Sequence, residues 1–248
     1  MMFLCSMFAA WAYPYVLWLI SDNAYSALFW AKALMYGAIM VPIAYFHLVL
    51  VFLNLDKKDF YKKILLIFYV LNAVWLVSVY SPYFVASVRP QLYFKFWPMA
   101  GPLYAPFLLT FFLEIAYASF LLLKKYRSST GVQHVQSGLL LIGIVIAVVG
   151  GSTNYFLWYG VQIAPWGNAL VILYVVLTIY AMMKYRFMDA KVIFAELFTG
   201  LLMILLLIDS VLSKNVTELL FRIFALVLVA VFGVLFIKST RKEIQQRE

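Results

Sequence analysis

Apolar residues in this chain come in long runs rather than in alternation, and polar residues collect in short clusters between the runs. Eight runs are long enough to cross roughly 30 Å of hydrocarbon as helices. They are Phe3–Ile20, Ala33–Leu55, Ile64–Tyr80, Leu103–Leu123, Gly138–Trp158, Asn168–Met183, Leu197–Leu212 and Leu219–Ile237. The last two are expected to pair as a hairpin around Ser213-Lys214-Asn215. The pattern predicts an all-α fold, a polytopic transmembrane helix bundle with both termini cytoplasmic.

Composition agrees with lipid as the solvent. The chain is 67% hydrophobic and 12% charged, with a mean hydropathy of +0.98, more apolar surface than a soluble core can hide. A single cysteine, Cys5, excludes a disulfide framework and a thiolate zinc site; it reads as a small core residue. The net charge of +9 would suit nucleic acid if it lined one face, but it is topological here. Lys57, Lys58, Lys62 and Lys63 share one inter-run segment, and Lys124, Lys125 and Arg127 another. Lys184, Arg186 and Lys191 fill a third, and Lys238, Arg241, Lys242 and Arg247 the tail. The positive-inside bias puts these on the cytoplasmic side. The opposite side holds Lys32, Arg89, Lys95, Lys214 and Arg222.

One external loop is substantial, Ser81 to Pro102. Its aromatics Tyr83, Phe84, Tyr93, Phe94, Phe96 and Trp97 read either as an interfacial belt or as a lid over a pocket among the helices. Phe84–Val88 and Gln91–Lys95 are expected to pair as a short hairpin around Arg89-Pro90.

Four phrases stand in a telling order. FHLVLVF (Phe46–Phe52) closes a run before a basic loop, GPLY (Gly101–Tyr104) opens another, and APWGN (Ala164–Asn168) leads into a run ending YAMMKYRFMD (Tyr180–Asp189). This order resembles the seven-helix N-terminal sensor region of bacterial sensor histidine kinases, over Phe3 to Ala195. The resemblance implies a sensor region at 1–195 with six spans present and the family's first helix absent. It also implies a membrane hairpin at 196–237 and the start of a cytoplasmic signalling helix at 238–248. A histidine kinase needs a phospho-accepting His and a glycine-rich ATP lid after the membrane part. The only histidines are His47 and His134, and the tail IKSTRKEIQQRE has no Gly. No enzyme activity and no cofactor are therefore expected of this chain.

Candidate ligand or sensing residues are Glu114, His47, Asn154, Tyr104 and Trp166. Glu114 lies mid-span, where a carboxylate costs several kcal/mol unless it is partnered, protonated or facing a wet cavity; Tyr117, Asn154 and His47 are its conceivable partners. His47 serves either as a titrating group or as a neutral hydrogen-bonded one. His134 reads as a solvated loop residue. Gly150-Gly151-Ser152-Thr153-Asn154 is either a close-packing patch or a locally opened helix facing a ligand. Asp209 reads as a boundary anchor for Lys214 or Arg222. Ile237 and Ile244 are spaced for one heptad of a dimeric coiled coil.

The expected function is an integral membrane sensor or receptor module of a two-component histidine kinase in the bacterial cytoplasmic membrane. It would pass an external or intramembrane stimulus to an output domain not present here. Expected partners are membrane lipid, a second copy in a homodimer, a kinase or output module in cis or trans and an unknown small ligand, without nucleic acid. The alternative is a small-solute transporter or channel, which internal repeats and interrupted helices would favour; no convincing repeat is seen. A retinal photoreceptor would need a Lys deep within a run, and an intramembrane hydrolase would need a metal motif or paired carboxylates. Neither pattern appears.

Overall fold

The computed structural model describes residues 2–170, 198–200, 202–203, 206 and 216–245. Its elements are α1 (Met2–Leu19), α2 (Ala24–Phe52), α3 (Asp59–Ser78), β1 (Val85–Gln91), β2 (Phe94–Ala100), α4 (Tyr104–Ser128), α5 (Gly131–Trp158) and α6 (Val216–Gln245). The fold is mostly helical, and α2, α3, α4 and α5 are long and apolar enough to cross a membrane. Shorter apolar helical stretches cover Phe3–Leu19 and Arg222–Phe236. The predicted runs Asn168–Met183 (beyond Leu170) and Leu197–Leu212 (in large part) lie outside the described residues, as do Asp209, Lys214 and the basic boundary at 184–191.

The chain divides into two compact units, one reaching Ile179 and the other starting at Tyr180. In the first, two buried clusters show how the helices alternate in direction. One joins the end of α1 (Trp18), the start of α2 (Ala27, Ala31), the residue after α3 (Val79), the hairpin (Phe84, Trp97), the start of α4 (Tyr104) and the end of α5 (Trp158). The other joins the opposite ends, with Leu4, Phe46, Leu50, Leu122 and Ile144. Successive helices therefore run antiparallel. The Lys57–Lys63 and Lys124–Arg127 segments share one end and the hairpin caps the other.

Helix α2 is the axle of this unit, contacting α3, α4 and both strands. Its 29 residues span about 43 Å at 1.5 Å each, more than the hydrocarbon requires. It starts at Ala24 rather than at the predicted Ala33. Asn23 caps it, its side chain accepting from the Ser26 N–H at 2.8 Å. Lys32, whose charge had marked the boundary, sits within the helix and donates to the Tyr80 carbonyl beyond α3 at 2.9 Å. At the other end Asn54 takes φ 55, the left-handed C-terminal position, and the Leu55 N–H reaches back to the Leu50 carbonyl at 2.8 Å. Gly37 brings α1 and α2 into backbone contact: a Cβ there would collide with Trp11 N and the Met7 carbonyl.

Helix α3 is the most exposed of the four long apolar helices. Leu66, Ile67, Val70, Val74 and Val77 are exposed, and the single residue it buries is Asn72. Helices α4 and α5 extend further toward each other than the hydropathy implied, to Ser128 and from Gly131. His134 is consequently helical rather than in a loop. Its ring stacks on Tyr126 at 4.0 Å, and Nδ1–H donates to the Tyr126 carbonyl at 2.9 Å.

The expected hairpin forms, but with a different turn. The loop is Leu92-Tyr93, closed by the Gln91–Phe94 pair, with Leu92 at φ 51. Arg89 and Pro90 lie within β1. A ladder irregularity between Arg89 and Gln91 falls on Pro90, which has no N–H to lend. Its aromatics divide: Phe84 and Trp97 are fully buried, whereas Tyr83 and Tyr93 are exposed.

In the second unit, α6 continues as one helix from Val216 to Gln245, through the basic tail. Gly233 receives Thr199, whose Cγ2 occupies the space a side chain would need.

Candidate functional site

Between α1, α2, α4 and α5 lies a cavity of about 90 Å³. Its walls include Trp11, Tyr15 and Trp18 from α1, Met35 and Val41 from α2, Tyr104 and Phe111 from α4, and Gly151, Ser152, Asn154, Tyr155 and Trp158 from α5. Among the described residues no charged side chain lines it. It lies toward the hairpin end, since Trp18, Tyr104 and Trp158 belong to the cluster that the hairpin caps.

Aromatic rings set the shape of the upper wall. Tyr104 stacks on Trp158 with centroids 4.4 Å apart and planes 11° from parallel, locking the first turn of α4 to the last turn of α5. Trp18 packs edge-on against Trp97 at 4.7 Å and donates through Nε1 to the Phe96 carbonyl at 2.5 Å. The hairpin thus sits one layer above the cavity, with Trp18 between. A second tie holds its tip to the segment after α5, where Gln162 Nε2 donates to Gln91 Oε1 and its Oε1 accepts from the Leu92 N–H at 3.3 Å.

A polar ring closes one side. Tyr15 donates its hydroxyl to Asn154 Oδ1 at 3.0 Å. Asn168 Nδ2 donates to the Tyr15 oxygen at 2.8 Å, and Asn154 Nδ2 donates to Asn168 Oδ1 at 2.6 Å. Asn154 also donates to the Gly151 carbonyl at 3.0 Å. This ring joins α1, α5 and the residues that follow the Gly160 turn. It forms because Gly150 and Gly167 allow close approach: a Cβ on Gly150 would fall on the Gly167 carbonyl oxygen. Helix α5 stays continuous through Gly150–Asn154, so the cluster is a packing patch with its Gly151, Ser152 and Asn154 side turned to the cavity, not an opened helix.

Of the sequence candidates, Tyr104 and Asn154 meet at this cavity. Glu114 does not line it. Glu114 is buried, and its partner is Asn72, not Tyr117, Asn154 or His47: Asn72 Nδ2 donates to Glu114 Oε1 at 2.6 Å and to the Phe68 carbonyl at 2.9 Å. Among the described residues Oε2 has no hydrogen-bond partner. Tyr117 instead stacks on Phe46 at 5.5 Å, and His47 Nδ1 shares a hydrogen bond with the Tyr69 hydroxyl at 2.9 Å. Both place their polar or aromatic groups at helix contacts outside the cavity. Trp166 is 79% exposed and stands apart from it. Sequence reasoning missed Tyr15, Trp18, Tyr155, Trp158, Asn168 and Asn72. The available signal was the number of polar and large aromatic groups inside apolar runs, which lipid alone does not explain.

No curated protein and no solved structure matches the chain. A family model does, over residues 1–191, which include the cavity walls, the polar ring and the hairpin. On that match the chain belongs to the family described as the N-terminal 7TM region of histidine kinase.

Proposed function

We propose that this chain is the membrane sensor module of a two-component histidine kinase, and that its stimulus acts at the cavity bounded by α1, α2, α4 and α5. The observation that carries this reading is the ring of Tyr15, Asn154 and Asn168. It is a polar junction on the cavity wall, and its third member opens the chain segment that leads toward the basic boundary at Lys184–Lys191. A molecule that binds one packing of this junction better than another shifts the balance between the two by its difference in affinity, and by no more. The shift is passed to a cytoplasmic kinase module in cis or trans, with the signal leaving through the helical tail after Lys238.

The two Lys-rich segments at the end remote from the hairpin support a cytoplasmic placement of that end. With eight spans, both termini then lie in the cytosol and the hairpin faces outward, in a bacterial inner membrane. Helix α6, continuous to Gln245, suits a signalling helix paired with a second copy in a homodimer. The domain plan is a sensor region at 1–195, a membrane hairpin at 196–237 and the start of the signalling helix at 238–248.

The test couples the full chain, in membranes, to its cognate kinase module and reads phosphorylation. Asn154→Ala and Asn168→Ala should shift basal phosphorylation by several-fold while inserted protein stays constant. Unchanged phosphorylation in both variants would overturn the reading, and solute flux through vesicles holding the chain alone would favour a transporter.

A further inference from the structure

The cavity's chemistry narrows what can enter it. Among the described residues its walls carry no Asp, Glu, Lys, Arg or His, and an ion moved into such surroundings would lose its hydration without a counter-charge. These walls suit an uncharged occupant. The walls nonetheless are not purely apolar. Tyr104, Tyr155 and Ser152 line the cavity, and among the described residues their hydroxyls have no hydrogen-bond partner. The polar ring does not need an occupant, because Tyr15, Asn154 and Asn168 satisfy one another. The three unmatched hydroxyls are available to one. Ser152 and Tyr155 are three apart on α5 and so share a face. The Tyr155 ring lies 6.2 Å from that of Tyr104 across the α4–α5 contact. Opposite them the wall is apolar, with Phe8, Leu34, Met35 and Val41.

Size sets the second limit. A volume of about 90 Å³ is smaller than the engineered cavity of about 150 Å³ that takes benzene in another protein.

We propose that this cavity binds a small uncharged organic molecule of about three to six heavy atoms carrying one oxygen. Its carbonyl or hydroxyl oxygen meets the Tyr104, Tyr155 and Ser152 hydroxyls, and its short hydrocarbon part lies against Phe8, Met35 and Val41. This names the ligand class for the sensor site above and rests on that reading for its signalling role. For three to six atoms the tightest attainable Kd runs from about 0.5 mM down to about 0.3 μM, so the occupants that suit the site are small metabolites or solvents.

Gly151 supplies the probe of occupancy. It lines the cavity, and a Cβ added there meets nothing within 4 Å, so Gly151→Val fills the space without displacing a neighbour. The full chain in lipid nanodiscs is titrated with butan-2-one, butyrate and butylammonium, and bound ligand is read by saturation-transfer NMR. Butan-2-one should bind saturably, with Kd raised at least tenfold by Gly151→Val and about threefold to tenfold by the near-isosteric pair Tyr155→Phe and Ser152→Ala. The two ions should show no saturable binding. Circular dichroism and thermal unfolding of each variant verify that the fold is kept, and the isosteric pair decides the matter if the valine variant fails to fold. Non-saturable butan-2-one signal, or equal binding to wild type and the isosteric variants, overturns the inference. Because binding is read without any kinase, the two readings fail separately. Binding without a change in phosphorylation would sink the sensor reading, and phosphorylation that answers another stimulus without butan-2-one binding would sink the ligand class.

Discussion

The Asn72–Glu114 pair offers the sharpest energetic test. Helix α3 buries one residue, Asn72, and spends its amide on the Glu114 carboxyl at 2.6 Å. Replacing Asn72 with Leu leaves a buried carboxyl with neither oxygen bonded to any described residue, since Oε2 already lacks a partner there. Loss of a partner from a buried polar or charged group costs about 2–4 kcal/mol. Replacing Glu114 with Leu removes the demanding group itself, and Asn72 keeps its bond to the Phe68 carbonyl, so the cost falls to about 1 kcal/mol, typical of an interhelical bond in lipid. The double variant Asn72→Leu, Glu114→Leu should then be little worse than Glu114→Leu alone, recovering most of the loss seen in Asn72→Leu. Glu114→Gln keeps an acceptor for Asn72 and should stay within about 1 kcal/mol of wild type. Unfolding in mixed micelles by SDS titration supplies all four corners of the cycle. An additive cycle, or a Gln variant as unstable as the Leu variant, would refute the claim that this bond helps fasten α3 to α4, beside the one from Trp75 Nε1 to Thr110 Oγ1 at 2.9 Å. Loss of phosphorylation in Glu114→Gln with folded protein unchanged would assign the carboxyl to signalling instead.

Further outcomes follow from the same geometry. Gly150→Val should lower the yield of folded protein sharply, while Gly151→Val, one residue on, is tolerated, because a Cβ at Gly150 strikes the Gly167 carbonyl and one at Gly151 meets open space; thermal unfolding in detergent reads the contrast. Tyr15→Phe should destabilise by about 0.5–1.5 kcal/mol, the worth of its hydroxyl to Asn154 and Asn168, read by the same unfolding assay. Trp18→Phe keeps a ring against Trp97 but loses the bond to the Phe96 carbonyl, and hydrogen exchange of the amides in β1 and β2 should accelerate while the α2 core stays protected. A tag after Glu248 should resist a membrane-impermeant label in intact cells, as the proposed cytoplasmic placement of the basic segments predicts.

The helices were legible because lipid imposes a simple rule: every backbone group must be satisfied within the span, so apolar length announces a helix. The same rule misled at the edges. Lys32 looked like a stop, yet a long side chain at the end of a span reaches a carbonyl beyond α3 and lets α2 begin nine residues earlier, at Ala24 instead of Ala33. Likewise the basic turn between α4 and α5 is mostly helix, since Lys125 and Arg127 sit in the last turn of α4 where the helix dipole favours cations. The hairpin was legible as a pair of aromatic segments but not in its turn, because Arg89-Pro90 carries the usual punctuation whereas the residue that takes the left-handed φ is Leu92.

The site was legible only as single residues, because partnership in a bundle is set by which faces meet and not by distance along the chain. Glu114 announced itself as a charge needing a partner, but the three groups offered were chosen from its own type of anomaly, and the true partner was an Asn on a helix that buries no other residue. The ring illustrates the same point over a longer reach. Tyr15 and Asn168 are 153 residues apart and each is unremarkable alone, one an aromatic in a run and the other the last letter of APWGN. What brings them together is the absence of two side chains, at Gly150 and Gly167. Small residues thus decide where polar groups can bond across helices, and a search for sensing sites in such chains gains more from pairing glycines with nearby Asn, Ser and Tyr than from ranking charges. On that criterion Gly150-Gly151-Ser152-Thr153-Asn154, not Glu114, marks the pocket.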